Sequence, residues 1–338
     1  VIDDMGNYFD NRMWQIAKGN QGTNSPVANY YGSEQEGSGL NGGKALFTAI
    51  RDCNIFIENI HKPLDLEDWE RDIWTAEAKF LKAYYHFWLL RMYGPIPIID
   101  DNAPLYGRGE EIQMYREPVD SVCNYIVKIL DEAIGYLPLK VEQLTTDLGR
   151  VTKPVALAVK AQVLTYAASP LFNGNTDYAG MVDSRGVQLF PQDYDNEKWK
   201  VAADALKEAI DVAHEAGHEL YDFTSSGITS DLDEKTVLAM QVRGAVTERW
   251  NNEIIWGDSH TSTDRIQLFS FPAFNDNHIG GSLILSYAPT LRVVEQFYTE
   301  NGVPVEEDNE WTDVDLFELR PGDEKHAPYI KENYETIN

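Results

Sequence analysis

Cations are scarce in this chain. Its 28 lysines and arginines face 55 aspartates and glutamates over 338 residues, a net charge of −27. Such a field repels phosphate backbones and anionic lipid surfaces, which excludes nucleic acid as a partner. The acidic residues are spread along the whole length, a pattern of solubility rather than of one anionic site, and a neutral, soluble ligand suits such a surface. Cysteine is almost absent. Cys53 and Cys123, the only two, stand among apolar neighbours in helical stretches, so they read as small core residues and not as a disulfide framework. No apolar run approaches the length of a membrane span. The opening VIDDMGNYFD lacks the basic, apolar and small-residue succession of a secretory signal. The expectation is an intracellular protein or a missing start, and the closing YIKENYETIN, without a cap, suggests an incomplete end.

What is present is apolar and aromatic. With 43% apolar and 12% aromatic residues the chain can bury a large core, so disorder is excluded, and one elongated array or two subdomains is the expectation. The most informative stretch is WTAEAKFLKAYYHFWLLRMYGPIPII, Trp74 to Ile99. At 100° per residue, Ile73, Ala76, Phe80, Ala83 and Phe87 form one apolar stripe. Trp74, Ala78, Leu81, Tyr85, Trp88 and Met92 form a second beside it. A helix with two such stripes packs on both sides, as in stacked helix-pair arrays. Asp65 with Asp68 is the expected start, Gly94-Pro95 the stop, and Pro97 keeps residues 95–99 extended.

Other helices flank it. One is expected from about Lys44 to Ile60, another from Pro118 to Leu137, and an alanine-rich one from Thr152 to the Ser169-Pro170 stop. A fifth carries Trp199, Ala202, Leu206 and Ala209 and ends at Gly217. The spacing of those four is a degenerate tetratricopeptide pattern, although KFLKAYY and KAQVLTY lie about 80 residues apart rather than 34. Residues 1–43 read as a long loop region. From about Gly244 the texture changes to NNEIIWGDSH, expected as a short strand with Trp256 in the core. A loop-rich stretch follows, then a helix, PTLRVVEQFYT, stopped by the turn Asn301-Gly302.

The catalytic patterns are weak. His214-Glu215-Ala216-Gly217-His218 is a formal H-E-x-x-H, which on an unbroken helix would set two imidazoles for zinc and a glutamate as base. Gly217, however, falls where the apolar period ends. It is better placed as a left-handed helix stop, which takes His218 out of register and leaves helix-end histidines beside the dipole. Gly37-Ser38-Gly39-Leu40-Asn41-Gly42 has dinucleotide-fingerprint spacing, but no apolar strand leads into it and Glu34 and Glu36 would repel a pyrophosphate. Asp100-Asp101 and Glu306-Glu307-Asp308-Asn309-Glu310 could take calcium, yet their spacing matches no calcium loop, and solvated faces are the simpler reading. No cofactor is expected.

Aromatic residues outside the helices are more telling. Trp14, Tyr30, Tyr31, Trp250, Phe271 and Phe274 are interleaved with Asn20, Asn24, Asp258, His260, Arg265, Asn275 and Asp276. A pyranose offers apolar C–H faces to rings and hydroxyls to amides, carboxylates and guanidinium, each contact contributing about 1 kcal/mol. Two or three such platforms give roughly micromolar to millimolar affinity. Trp14, Asn24, Tyr30, Tyr31, Trp250, His260, Arg265, Phe274, Asn275 and Asp276 are therefore the candidate ligand residues. The competing reading is that these rings pin long loops to the scaffold.

Five separated blocks carry a family resemblance: AEAKFLKAYYHFWLLRMYGPIPII, RVTKPVALAVKAQVLTYAASPLFNG, YDNEKWKVAADALKEAIDVAHEAGHELY, NNEIIW and PTLRVVEQFYTENGVPV. In this order they resemble the SusD/RagB family of Bacteroidetes outer-membrane lipoproteins. The resemblance implies a mainly α fold, an α-α superhelix of irregular tetratricopeptide-like helix pairs with long loops and a few short strands. Residues 1–338 would form one domain, with the helical scaffold at 44–217 and loop-rich ligand-facing and C-terminal regions at 1–43 and 244–338. It also implies a non-enzymatic binder of oligo- or polysaccharide, lipid-anchored on the extracellular face of the outer membrane. As a lid it would serve a SusC-like TonB-dependent transporter, with surface glycan-binding proteins and glycoside hydrolases as further partners. Some members bind peptides instead. The family's lipidated cysteine is not in this chain, and its ligand residues vary, so none is carried over.

Overall fold

Five helices, α1 (Leu46–Asn59), α2 (Asp68–Tyr93), α3 (Val119–Ile134), α4 (Lys153–Ala168) and α5 (Glu197–Glu215), pack chiefly against their neighbours in chain order. A sixth, α6 (Glu234–Thr247), follows. The computed structural model describes residues 45–104, 106–109, 112–226, 232–259, 293 and 296–309. The chain divides into a unit of residues 12–259, which holds all six helices, and a unit of residues 1–11 and 260–338. Among the described residues there are isolated β-bridges and no sheet, so the fold is the expected array of helix pairs.

The first stripe of α2 forms the centre of the core: Ala76, Phe80, Ala83 and Phe87 are all buried, with Ile50 of α1 and Val122, Ile126 and Leu130 of α3 in the same cluster. Its start lies slightly inside the expected aspartates, where Glu70 Oε2 accepts the Glu67 N–H at 3.2 Å. Its stop is Gly94, whose φ of +66° suits glycine and whose Cβ position lies 3.2 Å from the Phe190 ring. The extended run after it is fastened from inside the helix. Buried His86 accepts the Ile99 N–H on Nε2 at 3.2 Å, so its proton sits on Nδ1, which donates to the Lys82 carbonyl at 2.7 Å. Burial pushes the His86 pKa down to about 4, which keeps the ring neutral. Buried Lys82 in turn reaches the Asp100 carbonyl oxygen and lies 3.3 Å from its carboxylate.

Alanine lets α4 and α5 approach closely, through Ala161 against Ala205 and Ala209, with Leu157 in the same cluster. The tetratricopeptide spacing on α5 needs correction, because Ala202 and Ala209 are buried while Trp199 and Leu206 remain exposed. The small residues seat the helix and the large ones face out. Cys53 and Cys123 are buried free thiols, and burial pushes them up to about 11 and about 12. Between α4 and α5 the chain makes an ordered excursion. Gly174 has a φ of +68°, and a Cβ there would sit 2.8 Å from the Tyr194 backbone, so both conformation and space require glycine.

Two further expectations change. The segment 251–259 is a succession of turns and bends, not a strand. Helix α6 occupies Glu234–Thr247 and runs past Gly244, from where the change of texture toward a short strand was expected. Its Gly244 lies under the Tyr221 ring, 2.5 Å from where a Cβ would be, while Leu238, Val242 and Val246 are exposed. In the second unit, Tyr298 bridges Pro304 around the expected Asn301-Gly302 turn, with Gly302 at φ +74°. Residues 296–299 already lie outside a helix, and of the expected helix before them only residue 293 is described. Among the described residues no helix is long and apolar enough to cross a membrane.

Candidate ligand-binding groove

The second stripe of α2 is only partly covered, with Ala78 buried and Leu81 and Tyr85 packed against the core on one side. With one face of α1 it lines a groove of about 810 Å³, within the range of small-ligand sites. From α1 come Leu46, Ala49, Cys53 and Phe56, and from α2 come Trp74, Ala78, Leu81 and Tyr85. Both sets follow alternating three- and four-residue steps, so each helix turns one continuous stripe toward the same space. Small alanines and aromatic rings share the lining. Phe56 and Trp74 each keep 39% of their surface exposed, enough for a flat ring to be met from solvent.

Polar groups complete the lining. Asp52 and Glu77 line the groove together with Arg150 from the α3–α4 connection. Arg150 Nε and Nη2 donate to the two Glu77 carboxylate oxygens at 2.9 Å each, a bidentate pair. The hydrogen bond to Glu77 pushes the guanidinium pKa upward, so the arginine stays charged. The backbone just before it is held by residues 256–259. Trp256 Nε1 donates to the Gly149 carbonyl at 3.0 Å, and its ring meets Phe80 and Tyr84 edge-on with centroids 5.4 and 5.2 Å away. Gly149 has a φ of +90°, and its Cβ position is 3.1 Å from the Gly257 carbonyl oxygen. Trp256 is thus a packing residue, as expected, and it also anchors one end of the groove.

Of the ten residues picked from the sequence, Trp250 alone lies among the described residues. It is 38% exposed with a φ of +57°, unusual for a tryptophan, and its ring edge lies 3.3 Å from the Cβ position of Gly257. Trp14, Asn24, Tyr30, Tyr31, His260, Arg265, Phe274, Asn275 and Asp276 lie outside the described residues, as does the Gly37–Gly42 fingerprint. Aromatic residues at helical spacing read as packing, so the sequence does not single out the groove residues. The available signal was the second stripe of α2, too wide for one neighbour to cover.

The formal H-E-x-x-H does not assemble. α5 ends at Glu215, Gly217 takes φ +94°, the His218 N–H bonds the Ala213 carbonyl at 2.9 Å and the Gly217 N–H bonds that of His214 at 3.0 Å. This is a Schellman stop, and it leaves His218 Nδ1 3.1 Å from the Asn252 carbonyl oxygen. No group of three or more metal-ligating side chains occurs among the described residues. Of the acidic runs, Asp100 accepts from Tyr125 at 3.0 Å and Asp308 from Asn301 at 3.0 Å, contacts that hold local structure.

A sequence model of the SusD-like family, described as starch-binding associating with outer membrane, matches residues 3–164. The chain belongs to the SusD-like family. Among solved structures, BT4246 superposes with a TM-score of 0.69 at 30% identity, over 86% of this chain and 51% of that one. Its selenomethionine form gives 0.64 at 32%, over 79% and 47%. A SusD-like protein from Bacteroides fragilis NCTC 9343, at 20% identity and a TM-score of 0.55 over 77% and 41% of the two chains, shares the fold. No curated protein matches. The present chain therefore spans about half the length of BT4246.

Proposed function

We propose that this SusD-like chain captures a glycan at the outer-membrane surface and passes it to a SusC-like TonB-dependent transporter, with no chemistry of its own. The observation that carries the reading is the groove between α1 and α2, lined by the exposed Phe56 and Trp74 rings together with polar groups, in a chain matched by a starch-binding family model. Rings accept the apolar faces of pyranoses, and Asp52 and Tyr85 supply partners for hydroxyls. Trp250 is a further platform beyond the Gly149–Gly257 contact. The stiff array beneath lets the rings wait in place, which lowers the ordering cost of binding. Weak binding favours release to a transporter, and attachment through a lipid would keep the binder beside it.

Calorimetry with a panel of neutral oligosaccharides and peptides tests the reading. Heat from at least one oligosaccharide is expected, with the affinity weakened about fivefold by Trp74→Ala. Heat from peptides alone would end the glycan reading in favour of peptide capture. Co-purification with a SusC-like transporter tests the partner separately.

A further inference from the structure

Arg150 is the one cation among the described residues that line the groove, and it is already engaged. Guanidinium is the side chain best shaped for a carboxylate, because its fork meets both oxygens at once. Here that fork is filled from within the protein: Nε and Nη2 meet the two oxygens of Glu77 at 2.9 Å, and Asp147 lies 3.8 Å from Nη1. Glu77 sits one α2 turn from both Trp74 and Leu81, so the carboxylate is held between the stacking wall and the arginine. Its side chain is only 19% exposed, against 38% for Arg150. Asp52 adds a second acidic group to the lining from α1. A uronate or other acidic sugar entering beside the rings would meet a guanidinium whose charge is cancelled and carboxylates that repel it.

We propose that Glu77 is a specificity-determining residue that restricts the groove to neutral glycans by occupying the guanidinium fork of Arg150. The inference rests on the glycan reading of the groove and deepens it, since it assigns the class of sugar and the residue that rejects the other class. A neutral hexose needs only ring faces and hydroxyl partners, which the groove supplies with the Glu77–Arg150 pair intact. An acidic sugar would have to displace one carboxylate by another, an exchange with no net gain in charge pairing.

The test is calorimetry of the intact protein with neutral gluco-oligosaccharides and with acidic oligogalacturonides, in wild type, Glu77→Gln and the double variant Glu77→Gln/Arg150→Gln. Wild type is expected to bind a neutral sugar and no acidic one. Glu77→Gln should gain acidic binding by about tenfold or more, weakening as salt is added, and the double variant should lose that gain. Circular dichroism melts confirm that each variant is folded; should Glu77→Gln not fold, Glu77→Ala takes its place. Equal binding of acidic and neutral sugars by the wild type overturns the inference, as does a folded Glu77→Gln that gains nothing while still binding neutral sugar. Absence of all sugar binding in the wild type overturns the glycan reading itself, a distinguishable failure.

Discussion

The two apolar stripes of α2 carry similar residues and meet opposite fates. Phe80 and Phe87 on one side are fully buried between α1, α3 and α4, whereas Trp74 and Tyr85 on the other border an open groove with Arg150 and Glu77 at its edge. One side holds the array together and the other lines the groove. Aromatic content alone therefore says nothing about whether a ring is structural; the number of neighbouring helices does.

The sharpest way to break this contrast is Phe87→Ala. It removes a ring at 0% exposure from the core and should destabilise the protein by about 3–5 kcal/mol in urea unfolding. A loss below that of Trp74→Ala would reverse the two stripes. Next comes acidity. The His86 pKa is lowered from 6.5 to about 4 by burial, so the folded state binds fewer protons than the unfolded chain. Stability associated with this group is intact above pH 6.5 and is lost as pH falls toward 4, up to roughly 3 kcal/mol. Unfolding measured across that window should show the fall, and His86→Gln should flatten it.

Gly244→Ala would sharpen the same lesson at α6. The added methyl meets the Tyr221 ring at 2.5 Å, and a loss of about 1–3 kcal/mol is expected, read as a lower thermal midpoint or as early hydrogen exchange confined to α6. The smallest expected effect on stability is Trp74→Ala, at about 1 kcal/mol or less, because its ring is already 39% exposed. Its sugar affinity should nonetheless fall about fivefold, the equivalent of one stacking contact. A large stability loss with unchanged binding would return Trp74 to the core.

The helices α1 to α5 could be read from the sequence because apolar period and stop residues agree at each, most clearly at Gly94 and Gly217. α6 could not, since Val237, Leu238, Met240, Val242 and Val246 surround the helix and leave no single stripe to detect. The strand expected within NNEIIWGDSH shows the opposite ambiguity. A short apolar run is compatible with a strand, but a strand exists only with a partner, and here the Trp256 indole takes the Gly149 carbonyl instead. Nine of the ten ligand residues chosen from loop aromatics lie outside the described residues, and the groove arose from helical aromatics passed over as packing.

Local chemistry within the sequence determined the helix pairs, their stops and the absence of disulfides, because propensity, periodicity and stop residues act within a few residues. Which stripe of α2 would be covered, and that Glu77 would meet Arg150 across 73 positions of chain, was decided only by tertiary packing. Burial and bidentate pairing depend on what arrives from a distance, and no local pattern encodes the space left between α1 and α2.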